Sequence, residues 1–277
     1  MIIARLQGGL GNQMFEYAFG RAVALKNNTE LVLDLSQYEL DPQRRFMLDA
    51  FPIRTRVATP EEVAKLIGRN RLVKKLLPLF GRSRAVHEPQ FAFYPPALEA
   101  KNPCYLDGYW QSEKYFADIT PTLRKEFVLR KPLSEAAQKI TNEMQKGASV
   151  SIHVRRGDYS SSQFALLGAE YYMRAIAKVQ ETVQYPKYFV FSDNIEWVRK
   201  NLVVPDVVFV SGRGLSDIEE LILMSRCAHH IIANSSFSWW GAWLNPNKKK
   251  VIIAPKKWFV TNVHDTKDLL PTGWLTI

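Results

Sequence analysis

A parallel α/β architecture is what this sequence predicts, and three observations predict it. From residue 149 onward, β-branched and aromatic segments near 149–154, 187–192, 206–210, 229–233 and 250–254 alternate with helical ones near 169–183, 194–201, 216–227 and 236–244. That alternation is the mark of a parallel sheet with right-handed crossovers, here one Rossmann-like domain. The first 25 residues run through the same theme once, as an apolar segment, a glycine-rich loop and a helix. Finally, polar residues gather where the strands end. Arg155-Arg156, Ser192-Asp193, Ser211-Gly212 and Asn234-Ser235-Ser236 each follow a strand, the edge at which such sheets bind ligands.

Taken in order, residues 2–6 form a short strand that runs into Gln7-Gly8-Gly9-Leu10-Gly11-Asn12-Gln13. Met14, Phe15, Ala18, Phe19, Ala22 and Leu25 then recur at helical spacing. Glycines let a backbone approach a ligand, and the free amides opening a helix favour an anion. The loop is neither a P-loop, since no Gly-Lys-Ser/Thr follows, nor a full dinucleotide fingerprint, since the third glycine is missing. Residues 31–35 read as a second strand. Residues 61–80 read as a basic amphipathic helix, with Val63, Leu66, Ile67, Val73, Leu76, Leu77 and Phe80 on one side and Lys65, Arg69, Lys74 and Lys75 largely elsewhere. Gly68 and Pro78 interrupt it. Such a helix either packs on the sheet or lies on an anionic lipid surface.

Cys104-Tyr-Leu-Asp-Gly-Tyr-Trp-Gln-Ser112 reads as a strand and a loop rich in hydrogen-bonding and aromatic groups. Asp107, Tyr109, Trp110 and Gln111 are candidates for facing a sugar ring, with core packing the alternative for the aromatics. Helices are expected over 113–127 and 134–145, closed by Lys146-Gly147, and a domain boundary near residue 146. Trp239, Trp240 and Trp243 suit core packing.

The charge, 37 Lys plus Arg against 27 Asp plus Glu, gives +10 and points to an anionic partner. Cys104 and Cys227, far apart, argue against a disulfide scaffold, and Cys227, His229 and His230 lack the second cluster that a metal site needs. No basic leader with an apolar core opens the sequence, and no apolar run approaches ~18 residues. A cytoplasmic chain is expected, peripheral to the inner membrane face if the basic helix meets lipid. At the carboxyl end of the 149–154 strand, Arg155 and Arg156 offer charge and bidentate donors together, which suits a phosphate. Asn234-Ser235-Ser236-Phe237-Ser238 opens a helix whose amides and hydroxyls can cap one. Asp193 suits a ribose or a base.

Taken together, the run Gly8-Gly-Leu-Gly-Asn-Gln-Met-Phe-Glu-Tyr-Ala-Phe-Gly-Arg21, Gly108-Tyr-Trp-Gln-Ser112, His153-Val-Arg-Arg-Gly-Asp-Tyr159, Phe191-Ser-Asp193, Asn234-Ser-Ser-Phe-Ser-Trp-Trp-Gly-Ala-Trp-Leu-Asn245 and the closing Leu270-Pro-Thr-Gly-Trp274 resemble the bacterial α-1,2-fucosyltransferases of glycosyltransferase family 11. The resemblance implies a GT-B-like pair of Rossmann-type domains facing across a cleft: 1–146 on the acceptor side and 147–277 binding GDP-fucose. It implies metal-independent, inverting transfer of L-fucose from GDP-β-L-fucose to the 2-hydroxyl of a terminal galactose, on an oligosaccharide or a lipid-linked glycan. No further cofactor is implied. By position, Arg155 would hold the β-phosphate and His153 would lie against the nucleoside. Asn234, Ser235 and Ser236, with Phe237 beside them, would surround the pyrophosphate. Arg156, Ser192 and Asp193 join this donor set, and Gly9 and Asn12 would complete it from the other domain. Glu16 stands where the family usually has Gln. A carboxylate near the acceptor would serve as general base, and Asp158, next to the arginines, is the expected one, with Asp107 and Glu113 near the acceptor wall. Two other classes would also use parts of this pattern: a glycan-binding protein without turnover, and a nucleic-acid-binding module. The second lacks a basic run interleaved with aromatics.

Overall fold

The computed structural model describes residues 1–68, 84–157, 164–261 and 264–277. Asp158 and most of the basic helix expected over 61–80, including Arg69, Lys74 and Lys75, lie outside the described residues. The chain divides into two compact units, Met1–Arg130 with Asp265–Pro271, and Lys131–His264 with Thr272–Ile277.

The first unit is a parallel sheet of five strands, β1 Ile2–Arg5, β2 Leu31–Asp34, β3 Arg56–Val57, β4 Ala85–His87 and β5 Cys104–Asp107, in the order β3-β2-β1-β5-β4. Helix Leu10–Lys26 lies on it through Met14, Phe15, Ala18 and Phe19, all fully buried. Gly20 permits that approach. A Cβ there would stand 2.8 Å from Leu31 Cδ1 and 2.9 Å from Ala4 Cβ. Helix Pro60–Ile67 starts on a capping box, Thr59 with Glu62, and stops at Gly68 in the left-handed region at φ +69°. Its Leu66 is buried against Ile3, Val32 and Tyr105, so the described part of the basic helix packs on the sheet while Lys65 is exposed.

The second unit is a parallel sheet of six strands, β6 Ser149–Val154, β7 Lys187–Ser192, β8 Val207–Phe209, β9 His229–Ile231, β10 Ile252–Ala254 and β11 Leu275–Thr276, in the order β11-β10-β9-β6-β7-β8. All six residues of β6 are buried, as a central parallel strand requires. Alternation splits its side chains between two layers. Val150, Ile152 and Val154 pack with helix Ala169–Gln180 through Tyr172, Ala175 and Ile176. On the opposite face Phe189 and Phe191 of β7 pack with helices Glu135–Met144 and Asp217–Arg226 through Ala137, Ile140 and Leu223.

That second layer also moves the domain boundary from residue 146 to Arg130/Lys131. Helix Glu135–Met144 buries its apolar side against β7 and β8, so it belongs with the sheet that comes after it in the chain. The segment Asp265–Pro271 returns to the first unit, where Asp268 pairs with Lys114, accepts the Phe93 amide at 3.1 Å, and lends its carbonyl to the Ser112 hydroxyl at 2.7 Å. Both units are Rossmann-type parallel α/β sheets, as a GT-B-like chain requires.

Candidate active site

In the second unit the site is built on the turn that leaves β6. Arg155 and Arg156 are adjacent in sequence yet are used differently. Asp193, at the end of β7, accepts the Arg156 amide at 2.9 Å and the Gly157 amide at 3.0 Å, and its carboxylate pairs with Arg155 Nε at 3.2 Å. It is therefore the brace of the arginine turn, and the ribose or base expected of it meets a carboxylate already in use. A Cβ on Gly157 would come within 3.0 Å of that carboxylate, so the glycine belongs to the same arrangement. Arg156 swings away: its guanidinium stacks over Trp197 at 4.0 Å from the ring centroid and donates to the Leu167 carbonyl at 3.2 Å. This makes Arg156 a packing residue of the second unit. Arg155 carries the charge that remains at the edge.

His153 lies one position before the strand's last residue, on the face opposite Val150, Ile152 and Val154, and tilts toward Phe237 with ring centroids 5.6 Å apart. Burial, with the nearby Arg155 charge, pushes it down to about 3, so the imidazole is neutral. Its Nδ1 is buried and has no hydrogen-bond partner among the described residues. Ser192 is fixed at both ends: its amide donates to the Ser211 hydroxyl at 2.9 Å and its hydroxyl accepts the Asn194 amide at 2.9 Å. Asn234 is buried, and its amide donates to the carbonyls of Ala165 and Trp258, each at 2.8 Å, which clamps two loops. Ser235 stands at the N-cap of helix Ser236–Leu244 in extended backbone, with no cap bond from its side chain, and Ser236 and Phe237 are half-buried in the first turn. The second half of that helix is core: Trp239, Trp240 and Trp243 stack among themselves, and Gly241 lets it approach Met224, which a Cβ would meet at 2.9 Å.

His230 and Cys227 have structural uses. Asn245 donates to His230 Nε2 at 2.7 Å and to the Cys227 carbonyl at 2.7 Å, and Ser151 meets His230 Nδ1 at 2.8 Å. Both cysteines are free and buried. Among the described residues no group of three or more His, Cys, Asp or Glu could hold a metal ion.

In the first unit, Gly9 is the N-cap of helix Leu10–Lys26 and its carbonyl accepts the Asn12 and Gln13 amides at 3.0 and 3.1 Å. Asn12 in turn accepts from the Gln111 side chain at 2.9 Å, which ties the glycine loop to the 108–112 loop. Of the four acceptor candidates, Tyr109 is the outward aromatic, 39% exposed. Trp110 is not a sugar-facing residue. It is 1% exposed and packed on Phe19 and Tyr115, centroids 4.3 and 5.3 Å away, because its backbone takes a left-handed φ of +54° that turns the ring inward. Asp107 is ion-paired with Arg5 at 2.9 Å and hydrogen-bonded with His87 Nδ1 at 3.0 Å.

With this geometry in place, the sequence matches the profile of glycosyl transferase family 11 over residues 1–277. The chain belongs to that family. Among characterised members it is similar to an alpha-1,2-colitosyltransferase of Escherichia coli, 35% identical over 291 aligned residues that cover 100% of this chain and 99% of that protein. The O-antigen biosynthesis glycosyltransferase WbnK of Escherichia coli is 29% identical over 98% of this chain and 99% of its own length. The mouse galactoside 2-alpha-L-fucosyltransferase Sec1 is 26% identical over 88% of this chain and 64% of its own length. Of solved structures, NodZ alpha-1,6-fucosyltransferase co-crystallized with GDP superposes with a TM-score of 0.51 at 17% identity, covering 88% of this chain and 92% of that one, a likeness of fold.

Two carboxylates of this family-11 chain were not legible as site residues in the sequence. Glu220, on helix Asp217–Arg226, accepts from the Ser211 hydroxyl at 2.8 Å and is pushed up to about 7 by burial. Glu88, just after β4, accepts the Tyr109 and Trp110 amides at 2.7 and 3.0 Å and is likewise pushed up to about 7, by burial and then by the Asp107 charge. Glu88 follows a short strand, where periodicity is weak, and Glu220 sits within helix Asp217–Arg226; the signal that finds them is spatial. No described helix is long and apolar enough to cross a membrane.

Proposed function

We propose that this family-11 glycosyltransferase moves L-fucose from GDP-β-L-fucose to the 2-hydroxyl of a terminal galactose, with inversion and without a divalent metal. The observation that carries the reading is Arg155, held at the carboxyl end of β6 by Asp193 beside a neutral, buried His153. In a single displacement the acceptor oxygen attacks the anomeric carbon as GDP departs, and charge grows on the β-phosphate. A guanidinium fixed from behind by a carboxylate is ready for that charge without rearranging. Ser235, Ser236 and the first amides of their helix face an anion in the same way. Glu220 supplies an acceptor group that matches the adjacent N–H donors of a guanine edge. On the other unit, exposed Tyr109 and ion-paired Asp107 provide an apolar face and polar rim for galactose.

A second donor is favoured by one observation, the 35% identity to a colitosyltransferase. Colitose is L-fucose without its 3-hydroxyl, so both donors present the same diphosphate to Arg155 and differ at one sugar position. Transfer assays with GDP-fucose and GDP-colitose on lactose, with and without EDTA, test the proposal. Turnover with GDP-fucose that survives EDTA supports it; turnover restricted to GDP-colitose moves the donor assignment, and loss in EDTA that Mg²⁺ or Mn²⁺ restores overturns the metal-independent part. Anomeric configuration of the product reads the inversion. A peripheral contact with anionic lipid belongs to the same proposal. It rests on the net charge of +10 and the exposed Lys65, and is read by vesicle co-sedimentation at low and high salt.

A further inference from the structure

Four carboxylates lie about the carboxyl edge of the first unit's sheet, and their surroundings separate their roles. Asp34 accepts from the Tyr105 hydroxyl at 2.6 Å and the Ser36 amide at 2.9 Å. Asp107 is occupied by Arg5 and His87. Glu16 is 1% exposed, accepts the Gln7 amide on Oε2 at 2.9 Å, and has a buried Oε1 with no partner among the described residues. Burial raises it well above the ordinary carboxylate range, which favours the neutral form. Glu88 differs from all three. It is half-buried where Asp34 and Glu16 are sealed, no cation pairs with it among the described residues as Arg5 does with Asp107, and two backbone amides orient it while leaving lone pairs on each oxygen.

Resting on the transferase reading above, we propose that Glu88 takes the proton from the acceptor sugar's hydroxyl as that hydroxyl attacks the donor. The acceptor O–H bond breaks toward a Glu88 oxygen while a new C–O bond forms at the anomeric carbon. The bond from that carbon to the β-phosphate oxygen breaks, its electron pair leaves with GDP, and Glu88 passes its proton to water.

Three features of the site support this. A base works best when its affinity for the proton lies near the operating pH, and Glu88 is raised to about 7 while remaining open to solvent. The loop is shaped around it: a Cβ on Gly108 would stand 2.3 Å from Glu88 Cβ and 2.9 Å from its Oε2, so only glycine lets the carboxylate lie against the Tyr109 and Trp110 amides. Glu16, whose Oε1 has no partner among the described residues, lies within the field of Glu88, Asp107 and Tyr109. A carboxyl whose burial favours the neutral, donating form, near a carboxylate that accepts, matches a hydroxyl, which takes one hydrogen bond and gives another. The titratable groups facing Glu88 are Asp107 from β5, Glu16 from helix Leu10–Lys26, Tyr109 from the loop and Tyr115 beyond it.

The test is the pH dependence of kcat for GDP-fucose and lactose at saturating donor, in wild type, Glu88→Gln, Glu88→Asp and Asp158→Asn. The expected wild-type kcat falls as pH drops through about 7, because protonated Glu88 cannot accept. Glu88→Gln should lower kcat by about 10²–10³ and flatten that limb, Glu88→Asp should keep a limb, and GDP affinity should stay within about threefold. A residue that only shaped the loop would raise the lactose KM and leave the limb in place. A flat wild-type profile, which needs no variant to fold, overturns the proposal. So does a Glu88→Gln enzyme with kcat within about fivefold and its limb intact, or an Asp158→Asn enzyme that loses the limb. Absence of wild-type turnover with any galactoside removes the transferase reading itself, whereas turnover with a flat profile removes this proposal alone.

Discussion

Glu88 lies just after β4 of the first sheet and Glu220 on helix Asp217–Arg226 of the second unit, and both are raised to about 7 by burial, yet their neighbours differ. Near Glu88 the first unit sets Asp107 and Glu16, with Arg5 engaged by Asp107. Around the second unit's edge stand Arg155, the hydroxyls of Ser192, Ser211, Ser235 and Ser236, and Asp193, whose carboxylate is consumed by the arginine turn. Two sheets of one fold type thus carry different groups in the loops at their carboxyl edges. An edge of acceptors suits the hydroxyls of a neutral sugar, and an edge of guanidinium and hydroxyl donors suits a diphosphate. Fold supplies the edge in both cases, while the chemistry is decided by a handful of residues after each strand.

The contrast is broken most directly at Arg155. Arg155→Ala should lower transfer by about 10²–10³, as loss of one donor that strengthens in the transition state typically does, and Arg155→Lys should also be poor because a point charge replaces a fork. Arg156→Ala should instead act on stability, losing roughly 0.5–2 kcal/mol from its stack on Trp197. Steady-state kinetics beside thermal unfolding separates the two. Equal loss of activity without loss of stability in both variants would erase the division between them.

Packing glycines come next, one in each unit. Gly20→Ala must push Leu31 and Ala4 apart, and Gly241→Ala must displace Met224, so each should cost about 1–3 kcal/mol by denaturant unfolding. Each meets one Cβ at 2.9 Å that cannot rotate away, Ala4 for Gly20 and Met224 for Gly241, so the two costs should be comparable.

Glu220→Gln should weaken GDP binding about tenfold at pH 8, equivalent to ~1.4 kcal/mol for a charge-assisted pair. The sign follows from the proton. Wild-type affinity should fall as pH drops through about 7, because the protonated carboxyl accepts less well, whereas the variant should be flat. Calorimetric titration of GDP across pH reads this, and at saturating donor it leaves the kcat limb of Glu88 untouched.

The smallest effect is expected at Glu16. Its folded-state proton affinity is raised above the ordinary 4.5, so its contribution to stability is full below 4.5 and is lost progressively as pH rises toward its folded value. Glu16→Gln keeps the shape and the acceptor for the Gln7 amide but does not titrate. The variant should match wild type near pH 4.5 and melt higher than wild type at pH 8; a constant difference at all pH values would mean that Glu16 is ionised in the fold.

Much of the candidate site was legible in sequence because it depends on local order. Strand β6 has the bounds that its alternation implies, and Arg155, His153, Ser192 and Ser235 stand at or beside carboxyl ends, where chain order alone puts them. The twin roles of Arg155 and Arg156 were not legible. They are set by Asp193, 37 positions from Arg156, and by the Trp197 ring, neither of which spacing along the chain can assign to one arginine.

By itself, then, the sequence determined the parallel α/β class, the family and the edge on which Arg155, Ser192 and Ser235 collect, because strand period, helix period and motif spacing are properties of short stretches. Only the tertiary structure decided that Trp110 turns inward to Phe19, that helix Glu135–Met144 joins the second sheet, and that Glu88 stands over Gly108. Each of these follows from burial and hydrogen bonding between segments distant along the chain. The free energy of a buried carboxylate or an indole ring depends on what packs against it, and no local pattern records that.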